Sequence, residues 1–115
     1  MRFRMSPNVA LPTDRPNEAR QFYKDVLGFP VRHLEPATTE FNASPLSLFV
    51  DTEQAAPRDG LQGPVLELEV EDVEAAREHL VANGCTVLRW EGRGGDCYLR
   101  DPFGMTFNLW QDIEA

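Results

Sequence analysis

The alternation of apolar and polar positions is clearest near the end of the chain, between Gly94 and Trp110. Apolar residues alternate with polar ones on both sides of residues 101–104, which predicts two strands joined by a tight turn. The turn sequence Asp-Pro-Phe-Gly suits this role, because proline fixes φ and glycine accepts a positive φ. The residues predicted to face the core from these strands are Cys97, Leu99, Phe107 and Leu109.

Two other segments carry apolar residues at helical spacing. The first begins at the capping segment 13–16 and ends at Gly28, and its apolar positions are Ala19, Phe22, Tyr23, Val26 and Leu27. The second begins at Asp72 and ends at Gly84, and its apolar positions are Val73, Ala76, Leu80 and Val81. The pattern therefore predicts two amphipathic helices, each ended by a glycine.

Short apolar segments that predict strands surround both helices. They occupy 8–12, 29–34, 40–41 and 46–50 in the first half, and 65–70, 86–90, 96–100 and 106–110 in the second. Each half thus has the order β-α-β-β-β, which indicates a tandem duplication of one structural unit. We expect a single domain over residues 1–115, with a first module at 1–51, a linker at 52–64 and a second module at 65–115.

Composition narrows the partners and the compartment. The formal net charge is −8 at pH 7, which argues against nucleic acid and anionic membranes as partners. The same charge favours neutral or cationic ligands, or it serves solubility alone. No segment predicts a membrane span or a secretory signal, so we expect a cytoplasmic protein. Both cysteines are expected to be reduced, because hairpin pairing places Cys97 opposite Leu88 and out of disulfide reach of Cys85.

The polar face of the final strand pair is the predicted ligand site. The side chains that alternation turns away from the core are Asp96, Tyr98, Arg100, Asn108 and Trp110. Trp90 is predicted on the same face, so that aromatic, amide and charged groups meet in a mixture that suits a flat or cationic ligand. The alternatives are that the tryptophans fill a seam between two subunits and that Asp96 and Arg100 form a structural ion pair.

Two carboxylates on the predicted strand at 65–70 are candidate bases. Glu67 and Glu69 lie two residues apart and therefore on one face of the strand. Such a pair can remove and return a proton during an enolisation. In an acidic protein, it can equally be a solvated or ion-paired strand edge.

Three segments resemble the vicinal oxygen chelate superfamily, which is the glyoxalase/bleomycin-resistance/dioxygenase fold. They are 18–29 (EARQFYKDVLGF), 70–76 (VEDVEAA) and 101–104 (DPFG), and they occur in the order and at the spacing of that family. The resemblance covers nearly the whole chain. It implies an α+β fold in which two tandem βαβββ modules form a curled mixed sheet around an open cavity, usually completed by a homodimer.

The resemblance also implies where metal-using members hold their ligands, which is on the first strand of each module and on the final strand. The matching positions here are Asn8, Val65 and Asn108. A valine cannot ligate, and divalent metals prefer imidazole or carboxylate to an amide. The two histidines, His33 and His79, are predicted on an early strand and on a helix surface. We therefore expect no metal and no other cofactor, and glyoxalase, extradiol dioxygenase or fosfomycin transferase chemistry is not carried over.

Three functions are compatible with these observations. The first is metal-independent binding or sequestration of a small aromatic or cationic molecule in a dimer cleft, as in bleomycin-resistance proteins. Its predicted ligand-binding residues are Asn8, Trp90, Asp96, Tyr98, Arg100, Asn108 and Trp110. The second is a lyase or isomerase of the same superfamily that uses Glu67 or Glu69 as its base, or that holds a metal through nonstandard ligands. The third is a dimeric structural or regulatory module with a vestigial cavity.

Overall fold

The structure, a computed structural model, describes residues 2–35, 38–51, 63–92 and 96–111. Most of the predicted linker 52–64 lies outside these residues, as do Gly94 and Gly95 at the start of the alternating segment 94–110. The boundaries of the two modules and the linker stay a prediction.

Within the described residues, the chain forms eight strands, two α-helices and one π-helical turn. The strands are β1 (Phe3–Leu11), β2 (Val31–Leu34), β3 (Thr38–Ala43), β4 (Leu46–Asp51), β5 (Val65–Val70), β6 (Thr86–Trp90), β7 (Cys97–Arg100) and β8 (Thr106–Gln111). The helices are α1 (Pro16–Gln21) and α2 (Val73–Ala82), and the π-helical turn covers Phe22–Val26. The order β-α-β-β-β occurs twice, which confirms the predicted α+β class.

The chain divides into two compact units, and β1 contributes to both. The first unit, Pro7–Pro64, has the strand order β2-β3-β4-β1, with β1 parallel to β4 and the other pairs antiparallel. The second unit, Met1–Ser6 with Val65–Ala115, has the order β1-β5-β8-β7-β6, with β5 parallel to β8 and β8, β7 and β6 antiparallel. In each half, the first strand is followed by the fourth, third and second. This shared topology confirms that one βαβββ unit is duplicated.

The core of the second unit combines side chains of α2, β5, β7 and β8. Its buried members are Leu68, Val70, Ala76, Cys97, Leu99 and Leu109. Phe107 packs against this cluster. Alternation therefore predicted correctly which face of the final strand pair is buried.

Cys97 is a fully buried member of this core. Burial raises the pKa of its thiol to about 11, because an apolar environment disfavours the thiolate. Both cysteines are free thiols, as predicted, but Cys97 pairs across the hairpin with Trp90 and not with Leu88. At neutral pH, Cys97 is thus an uncharged packing residue.

The second helix forms as its sequence predicts. The Asp72 side chain accepts a hydrogen bond from the Ala75 N–H group at 3.1 Å, which caps the first turn of α2. Gly84 follows the helix with a φ of 101°, a value that favours glycine. Among the described residues, neither helix is long and apolar enough to cross a membrane.

The first helix differs from its prediction. Pro16 begins it as expected, but α1 ends at Gln21 and the chain continues as a π-helical turn, in which the Leu27 N–H donates to the Phe22 carbonyl at 3.1 Å. The apolar side chains predicted to form one stripe therefore do not share a single buried face. Tyr23 contacts Phe41, with ring centroids 6.1 Å apart. In contrast, Phe22, Val26 and Leu27 are all exposed, because the wider π turn breaks the spacing that would align them.

Candidate functional site

A polar row crosses the sheet of the second unit on the face opposite the core. Glu67 on β5 is the Cα partner of Asn108 on β8, and Asn108 is in turn the partner of Tyr98 on β7. Leu109, next to Asn108, is buried in the core. Because side chains alternate along a strand, Asn108 points away from that core. The register of the three strands thus places Glu67, Asn108 and Tyr98 side by side.

The side chain of Asn108 is held by the backbone of the neighbouring strand. The Cys97 N–H donates to Oδ1 of Asn108 at 3.2 Å. A backbone N–H can only donate, so this bond decides which end of the carboxamide is oxygen. The half-buried side chain therefore has one orientation, with its NH₂ group directed away from Cys97.

Tyr98 is covered by a cation from the adjacent strand. The Arg89 guanidinium lies over the Tyr98 ring, 5.2 Å from its centroid, and its side chain is mostly buried. Arg89 also approaches Glu91, with a nitrogen–oxygen distance of 3.9 Å. One face of the Tyr98 ring is therefore already occupied by a protein cation.

The prediction that Trp90 shares this face is wrong. The pairing of β6 with β7 shifts between Val87 and Arg89, so that Arg89 pairs with Tyr98 and Trp90 pairs with the buried Cys97. Trp90 accordingly packs against the core, and the Arg77 guanidinium of α2 lies 5.0 Å from its ring centroid. The cause is a β-bulge, because one extra residue in a strand reverses the faces of all residues beyond it.

Trp110 is the large aromatic residue that this face presents to solvent. Its side chain is 53% exposed, and its Cα partner on β5 is Glu69. Trp110 and Asn108 lie two residues apart on β8 and therefore on the same face. The structure thus brings together an indole ring, an amide and two carboxylates.

Both candidate bases are engaged by residues of β1. Oε1 of Glu67 accepts a hydrogen bond from the Ser6 hydroxyl at 2.8 Å, and Oε1 of Glu69 accepts one from Nε of Arg4 at 2.8 Å. The Glu69 side chain is 13% exposed and ion-paired with Arg4. For Glu69, these contacts match the alternative of an ion-paired carboxylate, although β5 lies between β1 and β8 and is not an edge strand.

Sequence reasoning missed Arg4 and Ser6 because it began the first strand at Asn8. The alternation itself could have revealed them, because Arg4, Ser6 and Asn8 lie two residues apart on one continuous strand. Pro7 concealed it, because proline usually marks the start or the edge of a strand.

Asp96 and Arg100 lie on either side of Tyr98 along the chain, and both are half-buried. The backbone of Asp96 forms two hydrogen bonds with Glu91. Its carbonyl accepts one from the Glu91 N–H at 3.0 Å, and its N–H donates one to Oε1 of the Glu91 side chain at 3.4 Å. Arg100 is the Cα partner of Thr106. Arg100 lies in β7 two residues from Tyr98, so alternation directs its side chain to the same face. Asp96 precedes the strand, and its place in the ligand site stays a prediction.

Asn8 belongs to the first unit. Its Cα partner on β4 is Ser47, whose hydroxyl accepts a hydrogen bond from Arg32 at 2.6 Å. Arg32 also donates to Glu40 at 3.2 Å. The role of Asn8 in a shared ligand site stays a prediction.

The residues at the positions implied for metal ligands do not suit a metal ion. Val65 is 1% exposed and has no donor atom on its side chain. The oxygen of Asn108 already accepts the Cys97 N–H bond. Among the described residues, no three His, Cys, Asp or Glu side chains are grouped so that they could hold a metal ion.

Comparisons with known proteins agree with this topology. A scan against protein-family models matches the Glyoxalase/Bleomycin resistance protein/Dioxygenase superfamily over residues 7–109. A search of the curated proteins found no match. Among solved structures, the chain is similar to a glyoxalase/bleomycin resistance protein/dioxygenase superfamily member from Vibrio splendidus 12B01. The two share 19% sequence identity with a TM-score of 0.60, over 97% of this chain and 100% of that one.

Two further solved structures are also similar. One is the NAD-dependent benzaldehyde dehydrogenase from Legionella pneumophila, with 16% identity and a TM-score of 0.66 over 92% of this chain and 98% of that one. The other is a hypothetical protein from Bacillus halodurans C-125, with 11% identity and a TM-score of 0.58 over 100% and 98%. At these identities, the solved structures show a shared fold and nothing of the activity. The family match, which spans most of the sequence, shows that the chain belongs to the glyoxalase/bleomycin resistance protein/dioxygenase superfamily.

Proposed function

We propose that this protein binds a small planar aromatic cation, without a metal, on the polar face of the second unit. The observation that carries the proposal is the exposed indole of Trp110 beside a row of polar and acidic side chains. An aromatic plate with carboxylate neighbours attracts a flat cation by stacking and by cation–π interaction, at about 1 kcal/mol each. We also propose a cytoplasmic location, which suits the two free thiols.

The carboxylates of β5 and the net charge of the chain support a cationic ligand. Glu67 and Glu69 bring two carboxylates to the strand that pairs with Asn108 and Trp110, and one of them accepts a hydrogen bond from the Ser6 hydroxyl. The net charge of −8 adds a long-range attraction for cations.

We propose binding or sequestration in preference to catalysis. Glu69 is held by Arg4 at 2.8 Å and Glu67 by Ser6 at the same distance. Carboxylates fixed in this way can attract a bound cation without taking part in proton transfer. A lyase or isomerase reaction would instead need one of them to exchange its present partner for a substrate proton.

Replacing Trp110 by alanine is expected to weaken binding about ten-fold and to leave the fold intact. The probe is (fluoren-2-yl)methylammonium, and fluorene-2-sulfonate is the matched planar anion. The substitution removes the stacking surface for the probe, whereas a side chain that is 53% exposed contributes little to the core. Calorimetric titration gives the affinity, and thermal melting checks the fold.

The variant Trp90→Phe is the matched control, because Trp90 packs against the core and not on the polar face. We expect it to bind the fluorenyl cation as the parent protein does. The chain has two tryptophans, so in this variant Trp110 is the sole indole fluorophore, and its quenching reports the ligand directly. Equal affinity for the planar anion, or binding without quenching in Trp90→Phe, would contradict the proposed site.

We also propose that the protein is a homodimer that uses the outer strand of the first unit. β2 ends the strand order of that unit, and all four of its residues are exposed. They include Val31, which is 42% exposed, and Leu34, which is 69% exposed. An exposed apolar edge strand favours pairing with another chain.

Light scattering at micromolar concentration is expected to give twice the mass of the chain. The variant Leu34→Glu places a charge on the apolar edge and is expected to give monomers. Thr86→Glu is the control, since it adds the same charge to an exposed position on β6, the outer strand of the second unit. A monomeric parent protein would overturn this proposal. So would a dimer that dissociates in Thr86→Glu but persists in Leu34→Glu.

A further inference from the structure

The carboxamide of Asn108 presents a hydrogen-bond donor to the polar face. Its oxygen accepts from the Cys97 N–H at 3.2 Å, which leaves the NH₂ group at the other end of the planar amide. An amide nitrogen donates two hydrogen bonds and accepts none. In the described part of the chain, this NH₂ group has no hydrogen-bond partner.

The position of Asn108 makes this donor significant. It lies between Glu67 and Tyr98, in the middle of the polar row, and is half-buried. A donor that becomes buried beneath a ligand without an acceptor loses its bonds to water and weakens binding. A ligand that covers this row is therefore expected to place an acceptor atom over Asn108.

We infer that the ligand of the proposed site is a planar aromatic cation that carries a carbonyl oxygen, with its ring on Trp110 and the oxygen on Nδ2 of Asn108. This inference rests on the proposed function and adds to it the identity of a second contact. Asn108 and Trp110 are two residues apart, so their Cα atoms lie about 7 Å apart along the strand. A fused two- or three-ring molecule spans that length.

Glu67 decides between a neutral acceptor and an anionic one. It is the Cα partner of Asn108, and its carboxylate lies on the same face. A carboxylate or phosphate of a ligand at this position would be repelled by Glu67, whereas a ketone or lactam oxygen has no net charge. The ligand class is therefore an aromatic ketone or lactam with a positively charged substituent.

The test compares two probes that differ at one ring carbon, which is a CH₂ group in the first and a carbonyl group in the second. They are (fluoren-2-yl)methylammonium and (9-oxofluoren-2-yl)methylammonium, which share the ring system and the cation. We expect the ketone to bind about five-fold more tightly, the effect of one hydrogen bond to a neutral acceptor. In a ¹⁵N–¹H spectrum, we expect the side-chain NH₂ signals of Asn108 to shift with the ketone and much less with the hydrocarbon.

Asn108→Asp is the matched variant. It keeps an oxygen to accept the Cys97 N–H and removes the NH₂ donor, so the structural bond survives and the proposed ligand bond does not. The added charge affects both cationic probes alike, and the ratio of their affinities cancels it. We expect this ratio to fall from about five to one or below.

The two proposals fail in different ways. If both probes bind with equal affinity to the parent protein and the Asn108 signals stay in place, the carbonyl contact is wrong and the aromatic-cation site stands. If neither probe binds, the proposed function itself is wrong. If Asn108→Asp does not fold, the probe ratio and the NH₂ shifts of the parent protein still decide the inference.

Discussion

Replacing Leu99 by alanine is expected to lower the free energy of unfolding by about 3 kcal/mol. Leu99 is completely buried and belongs to the core cluster that contains Val70, Ala76 and Leu109. The substitution removes apolar side-chain volume and leaves a cavity. A strand that is paired on both sides cannot move far to fill it, and β7 pairs with both β6 and β8.

Leu46→Ala is the control for this prediction, because Leu46 is 44% exposed and also lies in a strand. We expect it to cost less than about 1 kcal/mol, since most of its apolar surface stays in water in the folded protein. Urea unfolding followed by circular dichroism measures both variants. If both variants lose the same free energy of unfolding, Leu99 does not belong to the core of the second unit.

The strand pair β7–β8 shows what alternation predicts well. Leu99 pairs with Phe107 and Tyr98 pairs with Asn108 without a shift in register. Side-chain direction then follows from position alone, because each step along a strand changes face. The core residues and the positions of Asn108 and Trp110 were therefore predictable from the sequence.

Trp90 shows where the same reasoning fails. Its face depends on the bulge between Val87 and Arg89, and the segment 86–90 contains neither glycine nor proline that would mark a bulge. The tertiary pairing with β7 determines the shift. The candidate site therefore lacks the predicted Trp90 ring and instead contains Arg89, which stacks on Tyr98.

The first helix fails for a related reason. The positions from Ala19 to Leu27 fit the spacing of an α-helix, but the chain changes to a π turn at Phe22. Spacing identifies a helical segment without fixing its hydrogen-bond pattern. The result matters for the proposed dimer, because Phe22, Val26 and Leu27 add to the apolar surface of the first unit that is exposed in a single chain.

Replacing Asp101 by alanine is expected to cost about 2 kcal/mol, because one carboxylate oxygen holds the turn that joins β7 to β8. Oδ1 of Asp101 accepts hydrogen bonds from the N–H groups of Phe103 and Met105, both at 2.9 Å. Bonds to an ionised acceptor are stronger than neutral ones, and partial exposure of the turn reduces their net value. Gly104, with a φ of 100°, completes the turn and would remain in the variant.

Asp101→Asn separates the charge from the geometry of this turn. Its Oδ1 can still accept from Phe103 and Met105, so we expect it to lose about half as much stability as the alanine variant. Hydrogen exchange at these two amides identifies the bonds directly, and both are expected to exchange faster in Asp101→Ala. The turn also fixes the register that sets Tyr98 opposite Asn108, so the alanine variant is expected to bind the fluorenyl cation more weakly as well. If the two variants are equally stable and exchange alike, the carboxylate does not hold the turn, and the register of β7 and β8 is set by their core residues.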